Sequence, residues 1–450
     1  MYSILDEAAR RARAYLQGLE GRAVAPHPAA VRNLRELEEP LPEGPSDPLL
    51  TLELLDRVVS PATMAMAGPR FFGFVIGGSL PVTLASSWLS GAWDQNAALH
   101  LSTPGVSYLE ALALRWLVEL FELPAGAGGA FVTGATVANF TALAAARNAV
   151  LSRVGWNVEA QGLFGAPPIT VISGQESHPT LLKSLGMLGL GRSRVVRVDA
   201  DEQGRMRPSK VPRMSGPTIL CLQAGNVNSG SFDDFEALIA RARQAGAWVH
   251  VDGAFGMWAK AAPLLRPLVR GMEQADSWAT DAHKWLNVPY DSGLAFVREP
   301  DHLKAAMAIT AEYLPTQVPE RNPSDFTPEL SRRARGVEVW AALRSLGRKG
   351  LAELFERNCR QARRFARELR AAGYEVLNDV VLNQVVVAFG DAARTRKVIQ
   401  ALQDDGTCWC GVTEWQGRTA MRISVSSWAT TDHDVEVSIE AMLRVATSIG

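Results

Sequence analysis

"TILCLQAGNVNSGSFDDFEALIARARQAGAWVHVDGAF", residues 218–255, decides how this chain folds. The apolar run "TILCLQAG" reads as a strand, "DDFEALIARARQAG" as a helix and "AWVHVDGAF" as a second strand. Strands this apolar are covered on both faces, and two of them joined through a helix form a parallel pair. The second ends on Asp252, an acid that must find a partner or stay wet.

The same unit repeats outward. Upstream, helix "SYLEALALRWLVELFEL" leads to strand "GAFVT" and helix "VANFTALAAARNAVL". Strand "ITVIS", helix "PTLLKSLGML" and strand "RVVRV" follow. Downstream, strands "SWAT" and "GLAFV" flank "DAHKWLNVPYDSG" at 281–293. The alternation predicts an α/β domain with a mainly parallel seven-stranded sheet, whose ligands bind at the carboxyl ends of the strands.

Outside that region the pattern changes. Residues 3–19 and 49–66 have helical spacing around a proline-rich segment, which predicts an N-terminal helical arm over 1–90 without a compact core of its own. The large domain is expected over 91–325, with 300–327 irregular. A smaller α+β domain is expected over 326–450. It starts with a helical stretch at 329–372, broken near "LGRKG", and continues through "YEVLN", "NQVVVAF", a helix at 392–405, "CWCGVTEW" and "AMRISVSS" to a last helix.

A net charge of −1 over 450 residues gives no electrostatic reason to expect nucleic acid or an anionic membrane as partner. No apolar run approaches the roughly 20 residues of a membrane span, and the N-terminus lacks the apolar core of a signal peptide. Cys221, Cys359, Cys408 and Cys410 show neither metal spacing nor a disulfide framework. Free buried thiols, no metal site and a cytoplasmic location are the expectations.

Four short motifs fall at strand ends. "TGATVANF" (133–140) opens a helix with small residues and a hydroxyl, which suits an anion or a plain cap. "ESHPTLLKS" (176–184) puts His178 at a strand-to-helix junction, where a cap is the ordinary role. "HVDGAFG" (250–256) carries Asp252, and "DAHKW" carries His283 and Lys284. A lone lysine here could be a surface side chain lying along apolar neighbours. Taken together, the four supply what pyridoxal 5'-phosphate needs: an imine-forming lysine, an acid for the pyridine nitrogen, a phosphate cradle and a flat partner for the ring.

These segments resemble the pyridoxal-phosphate-dependent amino-acid decarboxylases of the aromatic-amino-acid and glutamate decarboxylase group, which have the fold type I, aspartate-aminotransferase-like architecture. The likeness also takes in "PRFFGFVIGGSLP", "SRRARGVEVWAALRSLG" and "MRISVSS". It implies that Lys284 forms the Schiff base, Asp252 pairs with the pyridine nitrogen and Ala254 lies under the ring. It implies that His178 stacks on the ring, and that Ala135 and Thr136 bind phosphate with His283 nearby. Asn226 and Asn228 depart from the small hydroxyl residues expected beside the cofactor. Arg422 matches an arginine of the C-terminal domain, to be read as a substrate contact or a structural salt bridge. Phe74, Ile76 and Trp93 fall in segments that line the substrate pocket of relatives, or are packing residues.

The resemblance further implies an intertwined homodimer with the active site at the interface, and decarboxylation of an apolar or aromatic L-amino acid. Relatives place a proton-donating tyrosine on the loop before the "RR" helix. Here "LPTQVPERNPSDFTPELSRR" has no tyrosine; Phe326 lies near the expected position, and Tyr313 comes earlier. An aldehyde synthase, which couples decarboxylation to oxidative deamination, is therefore an alternative. So are another lyase or aminotransferase using the same cofactor, and a cofactor-binding protein without turnover.

Overall fold

The computed structural model describes residues 2–309 and 320–449. Among these residues the chain divides into two compact units: 79–360 with 378–384, and 1–78 with 361–377 and 385–450.

The first unit holds seven strands: β1 (Gly128–Val132), β2 (Thr170–Gly174), β3 (Val196–Val198), β4 (Thr218–Gln223), β5 (Trp248–Asp252), β6 (Ser277–Asp281) and β7 (Gly293–Val297). Their order is β1-β7-β6-β5-β4-β2-β3. Neighbours are parallel except β7, which runs antiparallel to both β1 and β6. The strands end at one edge of the sheet, and β7 begins there, so β1, β2, β5, β6 and the start of β7 converge. β4 through β7 are buried along their whole length, as apolar runs without alternation require. The helix Ala135–Ser152 packs its alanine-rich surface on the sheet, burying Ala138, Ala142, Ala145 and Ala149. Small side chains let its backbone, and the polar groups it carries, come close to the strands.

The second unit holds β8 (Glu375–Val376), β9 (Gln384–Ala388), β10 (Gly411–Trp415) and β11 (Arg418–Ser424), ordered β10-β11-β9-β8. The N-terminal segment belongs to this unit and does have a core there. Leu19, Val24, Ala65 and Phe71 pack together with Tyr15, Ile76 and Trp409. Phe71 stacks on Trp409 at 5.0 Å, and the Phe72 N–H donates to the Trp409 carbonyl at 2.8 Å.

The division falls at 78 and 360 rather than at 90 and 325. Residues beyond 325 are tied to the large sheet: the Trp285 indole donates to Asn358 at 2.9 Å, and Arg335 bonds Asp291 at 2.8 Å. The helix Gly336–Ala371 is interrupted at Gly347, where φ is +58°. The stretch expected to be irregular contains the helix Pro300–Met307 and a turn of 3-10 helix at Pro323–Phe326. Tyr313 lies outside the described residues. The residues of "CWC" precede β10 instead of forming it, and both cysteines, like Cys221 and Cys359, are buried and outside any disulfide. No helix among the described residues is long and apolar enough to cross a membrane.

Candidate active site

β6 ends on Asp281, and three residues later Lys284 returns toward it. Lys284 Nζ sits 3.0 Å from Asp281 Oδ2, with the acid almost fully buried and the lysine side chain 23% exposed. The loop after Lys284 is fastened by Asn287. Its side chain donates to the Trp285 carbonyl at 2.7 Å, and its own carbonyl accepts the Leu80 N–H at 2.8 Å. This anchoring, with Trp285 buried beside Phe355, is what holds a lysine at the strand end.

Asp281 was not among the residues expected from the sequence, although it begins "DAHKW". Its Oδ1 accepts the Ala135 N–H at 2.6 Å and lies 3.5 Å from His283 Nε2. The acid thus caps the helix Ala135–Ser152 in place of a side chain from Gly134, which makes no capping bond. A carboxylate is stabilised there by the free N–H groups and the helix dipole. The Ser292 N–H donates to His283 Nδ1 at 3.1 Å, so the proton of the neutral ring is on Nε2 and faces this turn. Burial pushes His283 below its usual range; the Asp281 charge opposes and the Lys284 charge assists.

Gly134 and Gly293 make the turn narrow. A methyl on Gly293 would lie 2.5 Å from the Gly134 Cα, and one on Gly134 would lie 3.1 Å from His283 Cε1. Ala135 and Thr136 follow, and the Thr136 carbonyl accepts from Ser184 at 2.8 Å.

Asp252 ends β5 with 5% of its surface exposed. It accepts from Asn139 Nδ2 at 3.1 Å and from the Ala254 N–H at 3.2 Å. Burial pushes its carboxyl above the ordinary range, while the His178 and Lys284 charges and these two bonds pull it back. The Ala254 carbonyl accepts the Asp281 N–H at 2.9 Å, which ties the ends of β5 and β6 together. His178 is the N-cap of the helix Pro179–Met187, with Nδ1 at 3.3 Å from the Thr180 N–H, so its capping role and its nearness to Asp252 coexist. Tyr290, also absent from the sequence expectations, stacks on His283 at 4.2 Å. Partial burial, then the Asp281 charge, pushes its phenol up to about 12.

The remaining expected residues are placed as follows. Asn226 is buried and folds its own loop, accepting the Asn228 and Ser229 N–H groups at 2.8 and 3.1 Å. Phe326 packs against the cluster that includes Leu303 and Val297, with the Arg321 guanidinium 4.2 Å above its ring. Trp93 ends the helix Pro81–Trp93, half exposed. In the other unit, Phe74 is 61% exposed, takes φ +59° and stacks on Trp409 at 5.6 Å. Ile76 belongs to the Trp409 cluster. Arg422 lies on β11, where burial lowers its guanidinium to about 10.

Among the described residues no cluster of histidines, cysteines and acids could hold a metal ion. The residues present do fit pyridoxal phosphate: a lysine at a strand end, a buried acid aimed from the neighbouring strand, and a helix start whose turn two glycines keep narrow. Lys284, Asp252, Ala254, Ala135, Thr136, His178 and His283 all stand at the converging strand ends.

Residues 31–389 match the family model described as the pyridoxal-dependent decarboxylase conserved domain. The chain is 26% identical over 428 residues to the aromatic-L-amino-acid decarboxylase of Bacillus atrophaeus, covering 90% of this chain and 87% of that protein. It is 26% identical over 433 residues to the phenylacetaldehyde synthase of Arabidopsis thaliana, covering 89% and 87%. The crystal structure of Oryza sativa TDC with PLP and tryptamine shares the fold at TM-score 0.92 and 23% identity, covering 99% of this chain and 97% of that one. Site and family model agree, and the chain belongs to the pyridoxal-dependent decarboxylase family, with pyridoxal phosphate as its cofactor.

Proposed function

We propose that the chain converts an aromatic or large apolar L-amino acid to its amine and carbon dioxide, working as a homodimer in a reducing compartment. The observation that carries this reading is Lys284, anchored at the strand end 3.0 Å from Asp281 and within the field of the buried Asp252. Bound there, pyridoxal phosphate supplies the sink for the electron pair left behind when carbon dioxide departs.

The chain's own residues do the rest. Lys284 Nζ, held 3.0 Å from Asp281 Oδ2, is the amine that would attach the cofactor. Asp252, buried at the end of β5, would pair with the ring nitrogen and favour its protonated form. The Ala135 and Thr136 backbone and the His283 Nε2–H present donors to phosphate. The His178 ring, at the start of the helix Pro179–Met187, would pack on the cofactor ring. Tyr290, stacked on His283, keeps its phenol protonated at neutral pH and would serve as the acid.

The aromatic preference is supported by the names of the two relatives given above, an aromatic-L-amino-acid decarboxylase and a phenylacetaldehyde synthase. Val82, Trp88, Leu89 and Trp93 stand exposed on one helix, an apolar surface that a second copy would cover. The four buried cysteines, outside any disulfide, fit the compartment.

A second reading, aldehyde synthesis, is favoured by the loop at 314–330, which holds no tyrosine. Phe326 has no proton to give. The experiment is a panel of L-amino acids assayed together for carbon dioxide, amine, aldehyde and peroxide. Amine and carbon dioxide in equal amounts from an aromatic substrate support the first reading. Aldehyde with peroxide supports the second, and no product from any member sinks both.

A further inference from the structure

Trp248, His250 and Asp252 alternate along β5, so all three side chains project from one face of the sheet. That face also receives Asn139 from the helix Ala135–Ser152 and Ser277 from β6, which is paired with His250. The contacts form a single line. Trp248 Nε1 lies 2.9 Å from Ser277 Oγ, and Ser277 Oγ lies 2.9 Å from His250 Nδ1. His250 Nε2 lies 2.8 Å from Asn139 Oδ1, and Asn139 Nδ2 lies 3.1 Å from Asp252 Oδ2. Asn139, His250 and Ser277 are wholly inaccessible to solvent.

We propose that this line is a one-way hydrogen-bond relay that fixes the Asp252 side chain as an acceptor and aims it at the cofactor's ring nitrogen, making Asn139 and His250 positioning residues for the reaction. The sense of each link follows from donor and acceptor chemistry. An indole N–H only donates, so Ser277 accepts from Trp248 and its own proton goes to His250 Nδ1. His250 then carries its ring proton on Nε2 and donates to the Asn139 carbonyl. That turns the Asn139 amide so that its NH2 faces Asp252. The reverse sense would set the Asn139 carbonyl oxygen against the Asp252 carboxylate and leave the serine proton without an acceptor in the line. Burial pushes His250 down to about 3, so the ring holds one proton, as the relay requires.

The relay answers a problem set by burial. Asp252 faces Asn139, the Ala254 N–H, the charges of His178 and Lys284, and the Cys221 thiol on β4. Unaided, burial favours its protonated form, which would have no proton deficit to offer a ring nitrogen. A polar group fully satisfied in a dry interior is both strong and directional. The side-chain bonds of Asn139 and His250 in this line lead to Asp252, and they act through it.

The inference rests on the cofactor site, not on the choice of substrate, and it is tested without substrate. Nitrogen-15 spectra of histidine-labelled holoenzyme should show His250 neutral with its proton on Nε2 from pH 5 to 8. Asn139→Leu should shift the pH midpoint of the holoenzyme's visible absorption by about one to two pH units and weaken pyridoxal phosphate about tenfold. His250→Gln offers a donor and an acceptor at similar places and should stay within about threefold of wild type. A His250 proton on Nδ1 overturns the relay, whether or not Asn139→Leu folds. So does an Asn139→Leu holoenzyme with wild-type midpoint and affinity.

Discussion

Gly293→Ala tests whether the phosphate cradle is set by backbone contact. Gly293 opens β7, paired with Val132 at the end of β1 and with Asp281 at the end of β6. Its φ lies outside the left-handed region, so alanine suits the local backbone. The obstacle is contact. The new methyl would sit 2.5, 2.6 and 2.8 Å from the Cα, C and N of Gly134, all backbone atoms with no flexible end to yield. Restoring ordinary separation moves the first turn of the helix Ala135–Ser152 by about 1 Å, which costs about 1–3 kcal/mol as overpacking. A group misplaced by that much loses up to about a hundredfold in a position-dependent interaction. The assay compares the affinities of the cofactor-free enzyme for pyridoxal phosphate and for pyridoxal. The phosphorylated form should weaken by about ten- to a hundredfold and the unphosphorylated form far less. Gly91→Ala, on a helix position with nothing within 4 Å, is the control and should change neither. Equal losses for both compounds, or none, would refute the claim that Gly134 and Gly293 shape the anion turn.

Other expectations follow from single groups. Lys284→Ala should abolish the borohydride-reducible absorption band and lower turnover at least about a thousandfold, because the covalent anchor is gone. A band that survives in the variant would remove Lys284 from its role. Tyr290→Phe should raise the ratio of aldehyde to amine while leaving cofactor affinity near wild type; an unchanged ratio excludes Tyr290 as the acid. His250 makes stability depend on pH. Its folded value, about 3, lies below the free histidine value of 6.5, so its contribution is complete above about 6.5 and is lost as pH falls toward 3. Between pH 6 and 4.5 wild type should lose about 2 kcal/mol more unfolding free energy than His250→Gln, measured by denaturant titration.

Much of this architecture is legible because its strands are apolar without interruption. "GLAFV" coincides with β7, Gly293–Val297, and the helix at 392–405 matches Ala392–Asp405. The direction of β7 is not legible, since a run of buried residues reads the same in a parallel or an antiparallel neighbour. The N-terminal core was missed because its central side chain, Trp409, is more than three hundred residues away from Phe71 in the chain. At the site, Lys284, Asp252 and His283 announce themselves as polar groups at the ends of apolar strands. Asp281 was hidden by the lysine beside it. Asn139 looks like any polar helix residue until the helix is laid on the sheet. His250 could have been found: Trp248, His250 and Asp252 alternate, and a histidine inside an apolar strand needs a partner on the face it shares with the acid.

The two acids around Lys284 are set for different work by what each accepts. Asp281 takes the Ala135 N–H and the lysine ammonium, two donors that offset its charge at the helix start. Both donors are groups a cofactor would use, the lysine for attachment and the Ala135 N–H for phosphate, so the surroundings of Asp281 would change on loading. His283 Nε2 lies 3.5 Å from Asp281 Oδ1 and faces the same turn. Asp252 has no such local exchange. Its hydrogen-bond donors are the Ala254 N–H and the amide of Asn139, backed by His250, and the His178 and Lys284 charges act on it as well. One carboxylate is thus matched to a charge that changes during the reaction, and the other to a charge that has to stay. Removing the Asp281 charge by Asp281→Asn should leave Asp252 unaffected but shift the pH dependence of Lys284 reactivity, read as the rate of cofactor attachment to the cofactor-free enzyme. A rate profile superimposable on wild type would show that Asp281 serves only as a helix cap.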